Sequence, residues 1–210
     1  MKKSVNVKAV CGFLLSCVLP PARTAFVTAA ESIVIESGSY EVLSRNNCIS
    51  GDLQDAVVIS RHPAWGIIPG TAWLQPDATQ EHSTCAVYQA VFELPEGYRS
   101  PGISVFVLVD DYASVFLNDH LLGKVDGFEG PARTVGTSNP QLFRAGQNTL
   151  LFQTGSGFGA FGIDFKATVE LTAGDPAEDS DADGISDWWE VQSGLNVSDA
   201  ADASGDADVD

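Results

Sequence analysis

The sequence predicts an all-β fold: an antiparallel β-sandwich of the jelly-roll type, followed by a short acidic loop–helix segment. Three observations carry this expectation. Apolar runs recur about every ten residues with Gly, Pro, Asn or Asp between them, the spacing of strands and turns in a sandwich. No helical period exceeds two turns before residue 180. Near residue 174 the composition changes abruptly, from apolar strands to Asp, Ala, Ser and Gly.

The first segment is not part of the fold. Lys2, Lys3 and Lys8 precede or flank an apolar stretch, Ala9 to Leu19, which is too short to span a bilayer. Small residues follow at Thr28, Ala29 and Ala30. Residues 1–30 therefore read as an export signal, which predicts a secreted or cell-surface protein of bacterial type with no transmembrane span in the mature chain. Leu14-Leu15-Ser16-Cys17 resembles a bacterial lipobox weakly, so lipidation through Cys17 is the minor alternative. Cys11 and Cys17 fall in this signal and leave Cys48 and Cys85 in the mature chain. In an oxidising compartment these two can close one disulfide, and two buried free thiols are the alternative.

The strands follow in order. Ser32–Glu36 alternates weakly, and Asp55–Ser60 is a short apolar run. Cys85–Leu94 is rich in β-branched and aromatic residues, and Pro95 ends it. Ile103–Val109, Ala113–Leu117 and Asn148–Gln153 come next. The last run alternates cleanly, with Phe161, Ile163, Phe165, Ala167, Val169 and Leu171 on one face. The sandwich is expected over residues 31–173 and a linker over 174–178.

Charge separates the two parts. The chain has 28 acidic and 11 basic residues, a net of −17. Ten Asp and two Glu, with no Lys or Arg, lie between Asp175 and Asp210, so this tail carries −12 and the other 174 residues only −5. Such a surface repels phosphates, which excludes nucleic acid as a partner, and attracts cations.

The tail holds a spaced pattern. Counting from Asp179, acids fall at positions 1, 3, 5, 9 and 12, with Gly184 at position 6. A twelve-residue loop that curls around a calcium ion presents oxygens at alternate positions. Asp179, Asp181 and Asp183 would each offer a carboxylate oxygen, and Ile185 its backbone carbonyl. Asp187 would bind directly or through water, and Glu190 would close the site. Five carboxylates around a +2 ion leave three surplus negative charges, so the loop without Ca2+ would be repelled out of shape. Magnesium fits less well, because it prefers strict octahedral geometry and fewer protein ligands. Gly174 and Pro176 argue against an entering helix. An exit helix is expected from Asp187 to Gln192, stopped by Gly194, with Asp187 and Glu190 as a capping box. Asp206, Asp208 and Asp210 repeat positions 1, 3 and 5 of a second loop, a partial second metal site without a closing Glu, so the chain is expected to be a fragment of a longer array.

Two resemblances rest on these motifs. Residues 179–210, read as Asp-x-Asp-Gly-Ile-Ser-Asp-Trp-Trp-Glu-x-x-x-Gly-Leu-Asn196, resemble bacterial thrombospondin type 3-like calcium repeats. His62-Pro63-Ala64-Trp65, Ala72-Trp73, Asp110-Asp111-Tyr-Ala-Ser-Val-Phe-Leu-Asn118, Gly123 and Leu142-Phe-Arg-Ala-Gly146-Gln-Asn148-Thr-Leu150 resemble the galactose-binding-like jelly-roll superfamily of bacterial surface and secreted proteins, over about residues 55–171. The sequence departs from that pattern at Asp119, where such modules usually have Gly.

No residues form a catalytic constellation. His62, His82 and His120 stand apart from any nucleophile, and Asp110-Asp111 reads as a solvated turn whose two side chains point opposite ways. Trp65 and Trp73 are candidates for stacking on sugar rings, against a core role for both. The expected function is a non-enzymatic, calcium-binding extracellular module. It would bind a glycan or another surface protein, with the repeat as a calcium-stiffened spacer. The alternative is the noncatalytic part of a larger secreted enzyme such as a glycoside hydrolase.

Overall fold

A strand that buries one face must alternate, and two such strands facing each other make a core. The computed structural model describes residues 30–48, 51–77, 84–95, 98–157, 162–173 and 178–202. In chain order its strands are β1 (Ala30–Glu36), β2 (Val42–Arg45), β3 (Gln54–Asp55), β4 (Val57–Val58), β5 (Leu74–Gln75), β6 (Cys85–Leu94) and β7 (Tyr98–Asp110). They continue with β8 (Tyr112–Leu117), β9 (His120–Asp126), β10 (Arg133–Thr137), β11 (Gly146–Gly155) and β12 (Gly162–Ala173). A 3-10 turn (Pro140–Leu142) precedes β11, and helix α1 (Asp187–Ser193) lies in the acidic segment. None of the described helices is long and apolar enough to cross a membrane.

The strands form two antiparallel sheets, as expected for an all-β sandwich. One has the order β10-β7-β12-β5-β4, and β1 lies along the same edge of β12 as β5, pairing Ala30–Glu36 with Lys166–Thr172 while Leu74 pairs with Ile163. The other has the order β3-β2-β6-β11-β8-β9. The strands β6 and β11 pair over ten residues, from Gly146 opposite Leu94 to Gly155 opposite Cys85.

Alternation fills the space between the sheets. Ala86, Tyr88, Ala90, Phe92 and Leu94 of β6 and Leu150 and Phe152 of β11 point inward from one sheet. Val105, Val107 and Val109 of β7 and Ile163, Phe165, Ala167, Val169 and Leu171 of β12 point inward from the other. The rings of Phe152 and Phe165 meet across the gap at 4.4 Å. Phe161, placed by sequence on the same face of β12, lies outside the described residues.

A second, smaller core covers the other face of β7. There Trp65, Ile68 and Trp73 pack on Leu108, which is fully buried although it points away from the main core. This layer comes from the segment between β4 and β6. The disulfide Cys48–Cys85 is formed, and it ties the start of β6 to the chain after β2.

Candidate metal centre

The acidic segment begins at an anchored point. The Asp187 amide donates to the Glu178 carbonyl at 2.8 Å. Asp187 is buried, and its two carboxylate oxygens accept the Ser180 amide and the Ser180 hydroxyl, each at 2.6 Å. The helix cap differs from the expected one: Ser186, not Asp187, is the N-cap, and its hydroxyl accepts from the Trp189 amide. The exit is as read from sequence, with Gly194 in the left-handed region at φ 77 and its amide on the Glu190 carbonyl.

Between anchor and helix the chain curls on itself. Gly184 has φ 95, so the glycine at position 6 is required by the turn. Asp179 accepts from the amides of Asp183 at 3.2 Å and Gly184 at 2.9 Å, and Asp183 accepts from the Ile185 amide at 2.6 Å. These bonds orient the carboxylates inward. Asp179, Asp181 and Asp183 bring ligand oxygens within 4.8 Å of one another, and so do Asp183, Glu190 and Asp202.

Several of these oxygens are buried without a hydrogen-bond partner: one each on Asp181, Asp183 and Asp202, and both on Glu190. Glu190 is 0% exposed. Burial first, and then the charges of Asp181, Asp183, Asp187 and Asp202, push the Glu190 carboxyl above its ordinary pKa. Burial likewise raises Asp181, with Asp183 and Asp179 adding to it. A proton or a cation is what such a group of oxygens attracts.

The structure therefore brings together Asp179, Asp181, Asp183 and Glu190 as the spacing predicts. Asp187 sits at the loop, accepts from Ser180 with both oxygens, and belongs to neither of these groups. The structure adds Asp202, which sequence spacing passed over because the residue lies outside the twelve-residue loop. Asp206, Asp208 and Asp210 lie outside the described residues, as do His82, most of the linker and residues 1–29. Trp188 is half-buried and Trp189 is exposed on α1.

The sandwich settles two further expectations. Trp65 and Trp73 take the core role and not that of sugar platforms: both are buried, and their rings stack on each other at 4.2 Å. Asp110 and Asp111 do not diverge into solvent. Asp110 is 7% exposed, accepts from the Trp65 indole at 2.9 Å and shares a hydrogen bond with Asp111. Asp111 also accepts from the Gly157 amide at 2.8 Å. Burial, then the Asp111 bond, raise Asp110 to about 6, against the opposing pull of Trp65 and His62. Among the described residues near Asp111, Tyr112 faces solvent: it is 56% exposed and lies against Gly155.

No protein-family model matches the chain, and no curated protein matches it significantly. A family 35 carbohydrate-binding module from Clostridium thermocellum aligns over 65% of this chain and 97% of its own length, at 8% identity and TM-score 0.41. The CBM36-1 domain of a multidomain xylanase from the hindgut metagenome of Trinervitermes trinervoides aligns over 69% of this chain and 100% of its own, at 8% identity and TM-score 0.39. A β-glucuronidase from an uncultured Clostridium sp. aligns over 76% of this chain, at 11% identity and TM-score 0.43. The chain spans 31% of that enzyme and 23% of an FMN-binding β-glucuronidase that it also matches.

Proposed function

We propose that the protein is an exported binding module in which a calcium-carrying repeat stiffens the chain leaving a β-sandwich. One observation carries the metal: Glu190 is fully buried and neither of its oxygens has a hydrogen bond. An ionised carboxylate in that position is unfavourable unless a cation compensates it. Calcium suits the donor set, because it takes six to eight oxygens in flexible geometry. Asp179, Asp181, Asp183 and Glu190 would hold it, with the Ile185 carbonyl as the backbone ligand. The bound ion would supply no chemistry to a substrate; it would fix the loop and α1. The Cys48–Cys85 disulfide supports export to an oxidising compartment.

Calorimetric titration with Ca2+, together with melting in calcium and in chelator, tests the metal. Binding should raise the melting temperature and change the Trp188 and Trp189 fluorescence. If saturating calcium moves neither, the metal reading is wrong.

For the sandwich we propose glycan recognition through Tyr112, the exposed aromatic beside Asp111, in place of the buried Trp65 and Trp73. Base and sugar rings stack on such faces, and a neighbouring carboxylate accepts from hydroxyls. Glycan-array binding that Tyr112→Ala removes would support this, and silence across diverse glycans would favour a protein-binding role. The same module would serve as the noncatalytic part of a larger secreted enzyme; a catalytic domain encoded directly downstream would establish that context.

A further inference from the structure

We infer that Asp202, outside the twelve-residue loop, closes the calcium site in the place that the loop spacing gives to Asp187. The inference rests on the metal reading above and deepens it.

The two aspartates differ in what their oxygens do. Asp187 accepts the Ser180 amide with one oxygen and the Ser180 hydroxyl with the other, and it belongs to neither group of ligand oxygens that lie within 4.8 Å of one another. Its carboxylate is a clasp for the loop entrance. Asp202 uses one oxygen to accept the Asn196 amide at 2.7 Å. The other is buried and has no hydrogen-bond partner, and Asp202 joins Asp183 and the fully buried Glu190 in a group whose ligand oxygens lie within 4.8 Å of one another. A carboxylate oriented by one bond, with a second oxygen left unpaired beside Asp183 and Glu190, has the arrangement of a ligand held in position.

The backbone explains how so distant a residue arrives there. Gly194 ends α1, and the Leu195 amide returns to the Glu190 carbonyl at 2.8 Å. Two turns follow, closed by Asp199 on the Asn196 carbonyl at 2.9 Å and by Asp202 on the Asp199 carbonyl at 3.0 Å. Each turn is supported by its first side chain: Asn196 accepts from the Ser198 amide and Asp199 from the Ala201 amide. Successive turns bring Asp202 back beside Glu190. The ion is then held from both sides of α1, by the loop before it and the turns after it. The segment that leads into the next Asp-rich run is thereby ordered by the ion of the preceding one.

The test compares Asp202→Asn, Asp187→Asn and Glu190→Gln with the unmodified protein. Calcium affinity is measured by calorimetry, and terbium luminescence sensitised by the nearby tryptophans gives a second readout. Asp202→Asn should weaken calcium by about tenfold or more, and Asp187→Asn by no more than about threefold, because a lost ligand charge outweighs an altered clasp. Near-UV circular dichroism of the sandwich controls for folding in each variant. If Asp202→Asn binds as the unmodified protein does while Glu190→Gln fails, or if Asp187→Asn is the weaker of the two aspartate variants, Asp202 is not the closing ligand and the metal reading survives. If the unmodified protein binds neither ion, the metal reading itself has failed.

Discussion

Asn118 and Asn148 hydrogen-bond to each other inside the protein, side-chain nitrogen to side-chain oxygen at 2.7 Å. Asn118 also donates to the Leu142 carbonyl and accepts from the Thr149 amide, and Asn148 bonds both backbone groups of Arg144. The pair joins the β8–β9 turn to the loop that enters β11. It gives a physical reason for the spacing of Asn118 and Asn148 in the jelly-roll-like motif. The turn itself has Asn118 at φ 47 and Asp119 at φ 70, the two positive angles of a tight two-residue hairpin, so Asp119 adopts the conformation that Gly takes more easily.

Asn148→Ala removes one partner of the buried Asn118 amide and both side-chain bonds to the part-buried Arg144 backbone. Each orphaned group costs roughly 1–3 kcal/mol, so a loss of about 3 kcal/mol is expected overall. Urea unfolding should show a lower midpoint at unchanged slope. A double-mutant cycle with Asn118→Ala should give a coupling of about 1 kcal/mol or more. Simple additivity would show that the two side chains act independently.

The disulfide constrains the unfolded chain more than it shapes the folded one. Cys48 and Cys85 are 37 residues apart, and a closed loop of that length is worth about 4 kcal/mol in the chain-entropy model. Cys48→Ala with Cys85→Ala should therefore melt well below the oxidised protein and match the reduced protein. Equal melting of oxidised and reduced protein would remove this bond from the account of stability.

Much of this was readable in the sequence. The bounds of β6 agree residue for residue, because Cys85–Leu94 buries alternate side chains against a full-length partner and Pro95 stops it. The strands β2, β5, β9 and β10 were not read. The first two are too short to show a period, and the last two are edge strands with mostly exposed side chains. The burial of Trp65 and Trp73 depends on a loop folding over the outer face of β7, which no local pattern records. In the acidic segment the loop spacing picked out Asp179, Asp181, Asp183 and Glu190, all of which fall in the clustered carboxylates. It passed over Asp202, whose place beside Glu190 depends on the turns after Gly194.

The raised carboxyl of Asp110 predicts a pH dependence with a definite sign. The folded protein keeps this proton up to about pH 6, whereas an unfolded aspartate releases it near about pH 4. Between those values the folded state binds more protons, so this group's contribution to stability falls as pH rises, and the loss is complete above about pH 6. Asp110→Asn keeps an acceptor for the Trp65 indole and removes the titration. In saturating calcium, the stability of the variant relative to the unmodified protein should increase from about pH 4 to about pH 7. The carboxylates of the acidic segment and Asp164 are common to both proteins and cancel in the difference. A difference that stays flat across this range would mean that Asp110 titrates as an ordinary carboxylate.

The repeat also touches the sandwich at a defined point. The Gln141 side chain, on the 3-10 turn capped by Asn139, donates to the Val191 carbonyl of α1 at 3.0 Å. Val191 follows Glu190, so under the proposed calcium site an ion that fixed Glu190 would also fix the carbonyl that docks on Gln141, and the acidic segment would be a strut docked at its base. The bond is exposed, so Gln141→Ala should change the unfolding free energy of the sandwich by no more than about 0.5 kcal/mol. Its effect should appear instead in hydrogen exchange of the calcium-loaded protein, where the α1 amides exchange faster while those of β6, β11 and β12 keep their protection. Because the coupling is reciprocal, calcium affinity should fall slightly in the same variant. Unchanged exchange in α1 would show that the ion alone holds the helix, and that the Gln141 contact adds nothing to its position.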